Sequence, residues 1–288
     1  MFSSMSVHGT RRCPMINRSS YFRHSFVILI FCFSFFAASV HGQEATPAGV
    51  PTTPGVPAQT TSNQPADRDI SWQQLPRNFL HDQKDIWLFP RTLAHGDHWV
   101  PTVVVVGVTA SLLSADPHDA PYFRRTATFG DFNGAFSGTN TALEMALVPA
   151  TFYAVGLVRK DSYAEKTALF AGEAALDSTV LEVVMKAVSD RLRPSDIAPT
   201  GQFSDTFFRS HKPFSSSFPS GHTIDAFSIA TVFARRYQSH RWVPWVAYGV
   251  AGTIGFSRVT LQAHFPADVF LGAALGYSIS RFVVLRGQ

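Results

Sequence analysis

The sequence predicts an all-α fold, a helical bundle with about six core helices. Two observations carry this. Apolar stretches of helical length recur along the chain and are separated by polar loops marked by Gly and Pro. No strict apolar–polar alternation of period two recurs, which argues against an all-β fold. The predicted helices are Val100–Leu113, Thr141–Val158, Lys166–Val188, His222–Tyr237, Val243–Phe256 and Asp268–Leu285. Val103–Val106 taken alone also reads as a strand, and there is no internal repeat.

The first of these runs is Val-rich and stops before Asp116-Pro117-His118-Asp119, which reads as a loop. Gly130, Gly134 and Gly138, spaced by four among Phe and Asn, read as a flexible loop, with a lid over a site as a further use. The second run holds Glu144. The third holds Glu173, Asp177 and Glu182, which lipid disfavours unless they face the bundle interior. Pro194 ends the third run, and Pro219-Ser220-Gly221 breaks the chain just before the fourth. Trp242 and Trp245 open the fifth, a position suited to a membrane interface. Pro266 suits the first turn of the sixth, which is uncharged from Val269 until Arg281. The last two runs approach the ~20 apolar residues a membrane span needs. Mean hydropathy is only +0.06. A membrane-associated bundle with short spans is the expectation, and a soluble periplasmic bundle is its rival.

Before this bundle lie two other segments. Residues 1–42 have a basic region ending at Arg23-His24, an apolar run from Phe26 to Phe36, and small residues up to Val40-His41-Gly42. That order is an export signal, cleaved or kept as a signal anchor. Residues 43–66 are rich in Pro, Thr, Ala and Gly with Glu44 as the only charge down to Ala66, and read as a flexible linker. Ordered structure is expected from about Ile70-Ser71-Trp72.

The net charge of +4 on 288 residues is distributed unevenly. Residues 1–42 hold four Arg and no acid. Residues 43–185 carry 9 basic and 15 acidic groups, and residues 186–268 carry 9 basic and 5 acidic groups. A local cationic stretch inside a neutral chain fits an anion site rather than a nucleic-acid surface, and no long Lys/Arg run points to DNA. Both cysteines, Cys13 and Cys32, lie in the leader, so the rest of the chain has neither disulfides nor Cys-ligated zinc. His95, Asp97 and His98, like Asp116, His118 and Asp119, look like metal ligands in composition only. They are read as loops.

Three clusters carry chemistry. Lys186 lies near a helix end, and Arg193-Pro194 follows after six intervening residues. Phe218-Pro219-Ser220-Gly221-His222 places a hydroxyl, backbone N–H groups and an imidazole at a helix N-terminus, where unpaired donors and a partial positive charge attract phosphate. Arg258 is followed by His264 and Asp268, four apart, so that a carboxylate can hold one ring nitrogen and leave the other as nucleophile or base. Each cluster alone has an ordinary structural use. Together they supply the fixed cations and donors that the charge of a phosphoryl-transfer transition state requires.

These motifs, Lys-x6-Arg-Pro, Pro-Ser-Gly-His and Ser-Arg-x5-His-x3-Asp, resemble the signature of the type 2 phosphatidic acid phosphatase superfamily, which includes class A acid phosphatases and vanadium haloperoxidases. All three are complete and in order, over about residues 186–275. The resemblance implies a phosphatase domain over 67–288, a helical bundle with its catalytic motifs at 186–268. It implies that His264 attacks phosphorus to form a phosphohistidine, that Asp268 orients His264, and that His222 protonates the leaving alcohol. Lys186, Arg193, Arg258, Ser220 and the Gly221 N–H would hold the phosphate oxygens. No metal or cofactor is implied, with vanadate acting as inhibitor or phosphate mimic. Arg191 precedes Arg193 in a form common among such proteins and supports the phosphate site, and Ala267 stands where many have Ser or Thr. The implied partners are a phosphate-ester or lipid-phosphate substrate and membrane lipid, with no nucleic acid. The implied location is the inner membrane with the site facing the periplasm, or the soluble periplasm.

Overall fold

The computed structural model describes residues 68–286, apart from residues 137, 199 and 212. The export signal or anchor at 1–42 and the linker at 43–66 lie outside the described residues. Among the described residues the secondary structure is helical and contains no strand.

Eight α-helices follow one another: α1 (Leu75–Ala94), α2 (Trp99–Arg125), α3 (Gly130–Ala135), α4 (Gly138–Arg159), α5 (Ser162–Ser189), α6 (Gly221–Arg236), α7 (Trp242–Thr260) and α8 (Pro266–Ser278). A π-helical turn, Ile279–Val284, extends α8. The predicted runs correspond to α2 and α4–α8, with every start moved outward and the ends of the fourth and sixth runs moved inward, to Arg236 and to Val284 of the π-helical turn. α5 starts earlier because the Asp161 carboxylate accepts the N–H groups of Tyr163 (3.0 Å) and Ala164 (3.1 Å), a side-chain N-cap.

Three expectations are corrected. Asp116-Pro117-His118-Asp119 is not a loop. α2 runs through Pro117 and Pro121 to Arg125, because its C-terminal part is fixed by tertiary contacts of Asp116 and Arg124 that outweigh the lost backbone bonds. The Gly130–Gly138 region is not a flexible loop but holds α3 and the start of α4. Helix α1 was not among the predicted runs. Its charged residues and Pro90 dilute the apolar period, yet Leu75 and Ile86 pack on the core.

Successive long helices reverse direction. Arg124 at the end of α2 binds the carbonyls of Pro194 and Ile197 just beyond α5. Thr141 at the start of α4 meets Arg258 at the end of α7. The ends of α2, α5 and α7 and the starts of α4, α6 and α8 therefore gather at one end of the bundle. The opposite end has short turns, Lys160–Asp161 and 237–241. The long connections 190–220 and 261–265 lie at the gathered end.

α6 is the central helix, with twelve of its sixteen residues buried. Phe170 on α5 and Ile224 and Val232 on α6 are fully buried. α8 approaches α6 through Gly272 and Gly276, a small-xxx-small spacing. A Cβ on Gly276 would lie 2.2 Å from the Ile224 carbonyl oxygen. The acidic residues of α5 face inward: Arg68 pairs with Glu173 (3.0 Å) and Asp82 (2.8 Å), and Gln83 donates to Asp177 (2.8 Å).

The outer surface is apolar along much of α2 and α7. Val100, Val103, Val104 and Val106 are exposed on α2, as are Trp245, Val246 and Val250 on α7. All five Trp residues are exposed. Among the described residues two helices are long and apolar enough to cross a membrane, Trp99–Arg125 and Pro266–Val284.

Candidate active site

The three motifs converge at the gathered end because each sits at a helix end that the bundle brings there. Lys186 is in the last turn of α5, after which Asp190 turns the chain in a left-handed conformation (φ 40°) toward Arg191 and Arg193. Gly221 and His222 begin α6. Arg258 is in the last turn of α7, and His264 lies in the connection to α8. One cavity is lined by Lys186, Arg193, Gly221, His222, Arg258 and His264, together with Glu182, Asp225, Met145 and Ala263. Six of the eight predicted residues line it. The other two sit behind it. The Ser220 hydroxyl bonds Thr223 Oγ1 (2.8 Å), and Asp268 is fully buried at the start of α8.

His264 is 3% exposed, and its Nδ1 lies 2.6 Å from the Ser217 carbonyl oxygen. A carbonyl only accepts, so Nδ1 carries the proton and Nε2 of the neutral ring keeps its lone pair. The direct orienting partner is therefore the Ser217 carbonyl. Asp268 Oδ2 is 3.8 Å from Nδ1. That same oxygen accepts the Ser217 hydroxyl and the Phe265 N–H (2.8 Å), so Asp268 holds the segment that holds the imidazole. Burial pushes His264 below its ordinary value of 6.5; Asp268 opposes the shift, and the charges of Lys186 and Arg193 add to it.

The cations are held from behind. Arg258 is 1% exposed, and its Nη2 donates to the Phe136 carbonyl, to Ser257 Oγ (2.8 Å) and to Thr141 Oγ1 (3.3 Å). Arg193 Nε donates to the Ser215 carbonyl (3.0 Å). Lys186 Nζ pairs with Glu182 Oε1 at 2.5 Å. The Glu182 carboxyl also lies against Gly221, where an added Cβ would come 2.0 Å from Oε1 and push the carboxyl aside. Arg191 does not line the cavity. It is buried behind it, bridging Asp116 and Asp268.

Glu182, Asp225 and Asp116 were missed as site residues. The first two had a signal: Glu182 precedes Lys186 by four and Asp225 follows His222 by three, spacings that share a helix face. Asp116 had none, since its partners lie 75 and 151 residues away. Among the described residues no group of three His, Cys, Asp or Glu side chains could hold a metal ion, the two suspected clusters included.

Residues 167–287 match the model of the PAP2 superfamily. Lipid A 1-phosphatase of Rhizobium etli is 35% identical over 99 residues, covering 34% of this chain and 41% of the relative. Lipid A 1-phosphatase of Porphyromonas gingivalis is 39% identical over 77 residues, covering 26% of this chain and 17% of the relative. The chain thus spans less than half the length of both. A solved structure titled as a transmembrane PAP2 type phosphatidylglycerolphosphate phosphatase from Bacillus subtilis covers 70% of this chain and 94% of its own, at 21% identity and a TM-score of 0.39.

Proposed function

We propose that this chain, whose residues 167–287 belong to the PAP2 superfamily, is a phosphatase that hydrolyses a lipid-linked phosphate monoester or pyrophosphate through a phosphohistidine on His264. The observation that carries this reading is the cavity itself. It joins three fixed cations, a helix N-terminus and an imidazole whose Nδ1 is committed to a carbonyl.

The chemistry follows from those positions. Lys186, Arg193 and Arg258 and the Gly221 N–H bind the phosphate oxygens and offset the charge that develops on them. The Nε2 lone pair of His264 forms the bond to phosphorus as the bond to the leaving oxygen breaks. Protonated His222 gives its proton to that oxygen, and the alcohol departs. His222 then takes a proton from water, whose oxygen displaces His264 from phosphorus and releases phosphate. The Ser217 carbonyl and Asp268 stabilise the positive charge on the His264 ring between the two steps. The chain's own cations neutralise the phosphate, so the scheme uses no metal. Vanadate, a phosphate mimic, should inhibit.

The exposed apolar faces of α2 and α7 and the two candidate spans support a membrane location. The relatives named as lipid A 1-phosphatases support a lipid phosphate as the substrate class. The turns at the end opposite the site carry Arg159 and Lys160, then Arg235, Arg236 and Arg241, against the acids Asp97 and Asp161. Cations in short loops favour the cytoplasmic side, which supports a cavity that faces the periplasm.

The test is phosphate release by the detergent-purified protein from phosphatidate, undecaprenyl pyrophosphate and p-nitrophenyl phosphate. Release from a lipid substrate, lost in His264→Ala, is expected. Full activity in His264→Ala sinks the mechanism, and release from p-nitrophenyl phosphate alone sinks the lipid assignment.

A further inference from the structure

Helix α2 lies outside residues 167–287, the region that matches the family model, yet it reaches the machinery behind His264. Asp116 is fully buried on α2. Its Oδ2 accepts Arg191 Nη2 at 2.7 Å, and its Oδ1 accepts the Ala267 N–H at 3.2 Å, in the first turn of α8. Both oxygens therefore face donors, which suits the ionised carboxylate. The other end of the Arg191 guanidinium, Nη1, pairs with Asp268 Oδ1, and Nε donates to Thr206 Oγ1 at 3.0 Å. Its plane stacks on Phe265, 4.0 Å from the ring centre, and on Phe207 at 4.8 Å. Arg191 is 2% exposed, so neither carboxylate is screened from it by water.

The connectivity has a direction. Asp116 holds Arg191 and the first turn of α8. Arg191 holds Asp268. Asp268 holds the Ser217 hydroxyl and the Phe265 N–H, and Ser217 holds His264. The charge balance matters as much as the position. One guanidinium is shared by two carboxylates, so Asp268 is only partly neutralised and keeps negative charge 3.8 Å from the imidazole. Without Asp116, Arg191 would neutralise Asp268 in full.

We propose that Asp116 is a positioning residue of the active site, which acts through Arg191 to fix Asp268 and to preserve its charge toward His264. The inference rests on the phosphatase reading for its kinetic readout but not for its second readout, the titration of His264 itself. His264 shares its cavity with Lys186, Glu182, Arg193, His222, Asp225 and Arg258, with Asp268 behind it, and the variants below leave all of these in place.

The test compares the full chain with Asp116→Asn and Arg191→Lys in detergent. Phosphatidate turnover is measured across pH, and the His264 titration is followed by NMR on histidine-labelled protein, with His264→Asn used to assign the signal. Asp116→Asn should lower kcat by roughly ten- to a hundredfold, by analogy with the loss of a partner that orients a metal-bound imidazole. KM should be unchanged, and both the acid limb of kcat and the His264 titration should move to lower pH, because the imidazolium loses negative charge nearby. A residue that only stabilised the fold would move the unfolding temperature and leave the titration in place. A His264 titration and kcat equal to those of the unaltered protein overturn the proposal. If Asp116→Asn does not fold, Arg191→Lys decides: a fall in kcat at constant KM supports the proposal, and unchanged kcat overturns it. If the unaltered protein releases no phosphate from any substrate, the phosphatase reading fails, and the NMR titration alone still decides the role of Asp116.

Discussion

At the scale of single residues, the site combines a buried imidazole, the nucleophile of the proposed mechanism, with an internal anion. Burial lowers the His264 pKa below 6.5, so the ring stays neutral, and its Nε2 available, as pH falls past that value. The acid limb of kcat/KM, followed from pH 4 to 8, should therefore fall below pH 6.5; a limb above 6.5 would contradict the burial argument. The same shift means that the unfolded chain binds this proton more readily. His264 therefore costs no stability well above 6.5 and costs progressively more as pH falls below it. Glu182 occupies the opposite role. It pairs with Lys186 at 2.5 Å inside the cavity, and on the proposed mechanism it would compete with a phosphate for that cation. Glu182→Gln should tighten inhibition by inorganic phosphate, measured as a lower inhibition constant, whereas weaker inhibition would show that Glu182 serves to position Lys186.

At the scale of elements, helix ends carry the function and close helix contacts carry the bundle. Gly276 lets the α8 backbone pass against α6, and a Cβ would enter the Ile224 carbonyl. Gly276→Ala should destabilise the protein by about 1–3 kcal/mol, the cost of overpacking, read as a lower thermal unfolding midpoint in detergent. Arg68→Ala should cost about 3–5 kcal/mol by stranding Glu173 and Asp82 in the interior. Six of the seven long helices were legible in sequence because each has an apolar stretch between clear stops, and α1 was not because its charges and Pro90 dilute the apolar period. The helical path through Asp116-Pro117 was not, since local rules read Pro117 as a break and only the long-range pairing with Arg191 outweighs it. The cavity-lining motif residues were legible because phosphate chemistry demands their types at fixed spacing. The Ser217 carbonyl and Asp116 were not, because a backbone acceptor leaves no mark in side-chain identity and a partner 75 residues away has no local period.

At the scale of the whole molecule, the two ends of the bundle differ. One holds the long connections and the cavity; the other holds short cationic turns. Between them lie the exposed apolar faces of α2 and α7. The protein should pellet with membranes and resist carbonate extraction, and recovery in the soluble fraction without detergent would contradict this. In cells, and in a background without Cys13 and Cys32, Asp205→Cys should react with a membrane-impermeant maleimide added outside. Lys160→Cys should react only after lysis, and the reverse pattern would invert the orientation. The covalent step on His264 is the centre of the proposed mechanism. Rapid acid-free quenching of the protein with substrate labelled in its phosphate, followed by peptide mapping, should place an acid-labile, base-stable label on His264, and His264→Ala should carry none. Turnover of the lipid substrate with no label on the protein at any time, or with the label on another residue, would contradict it.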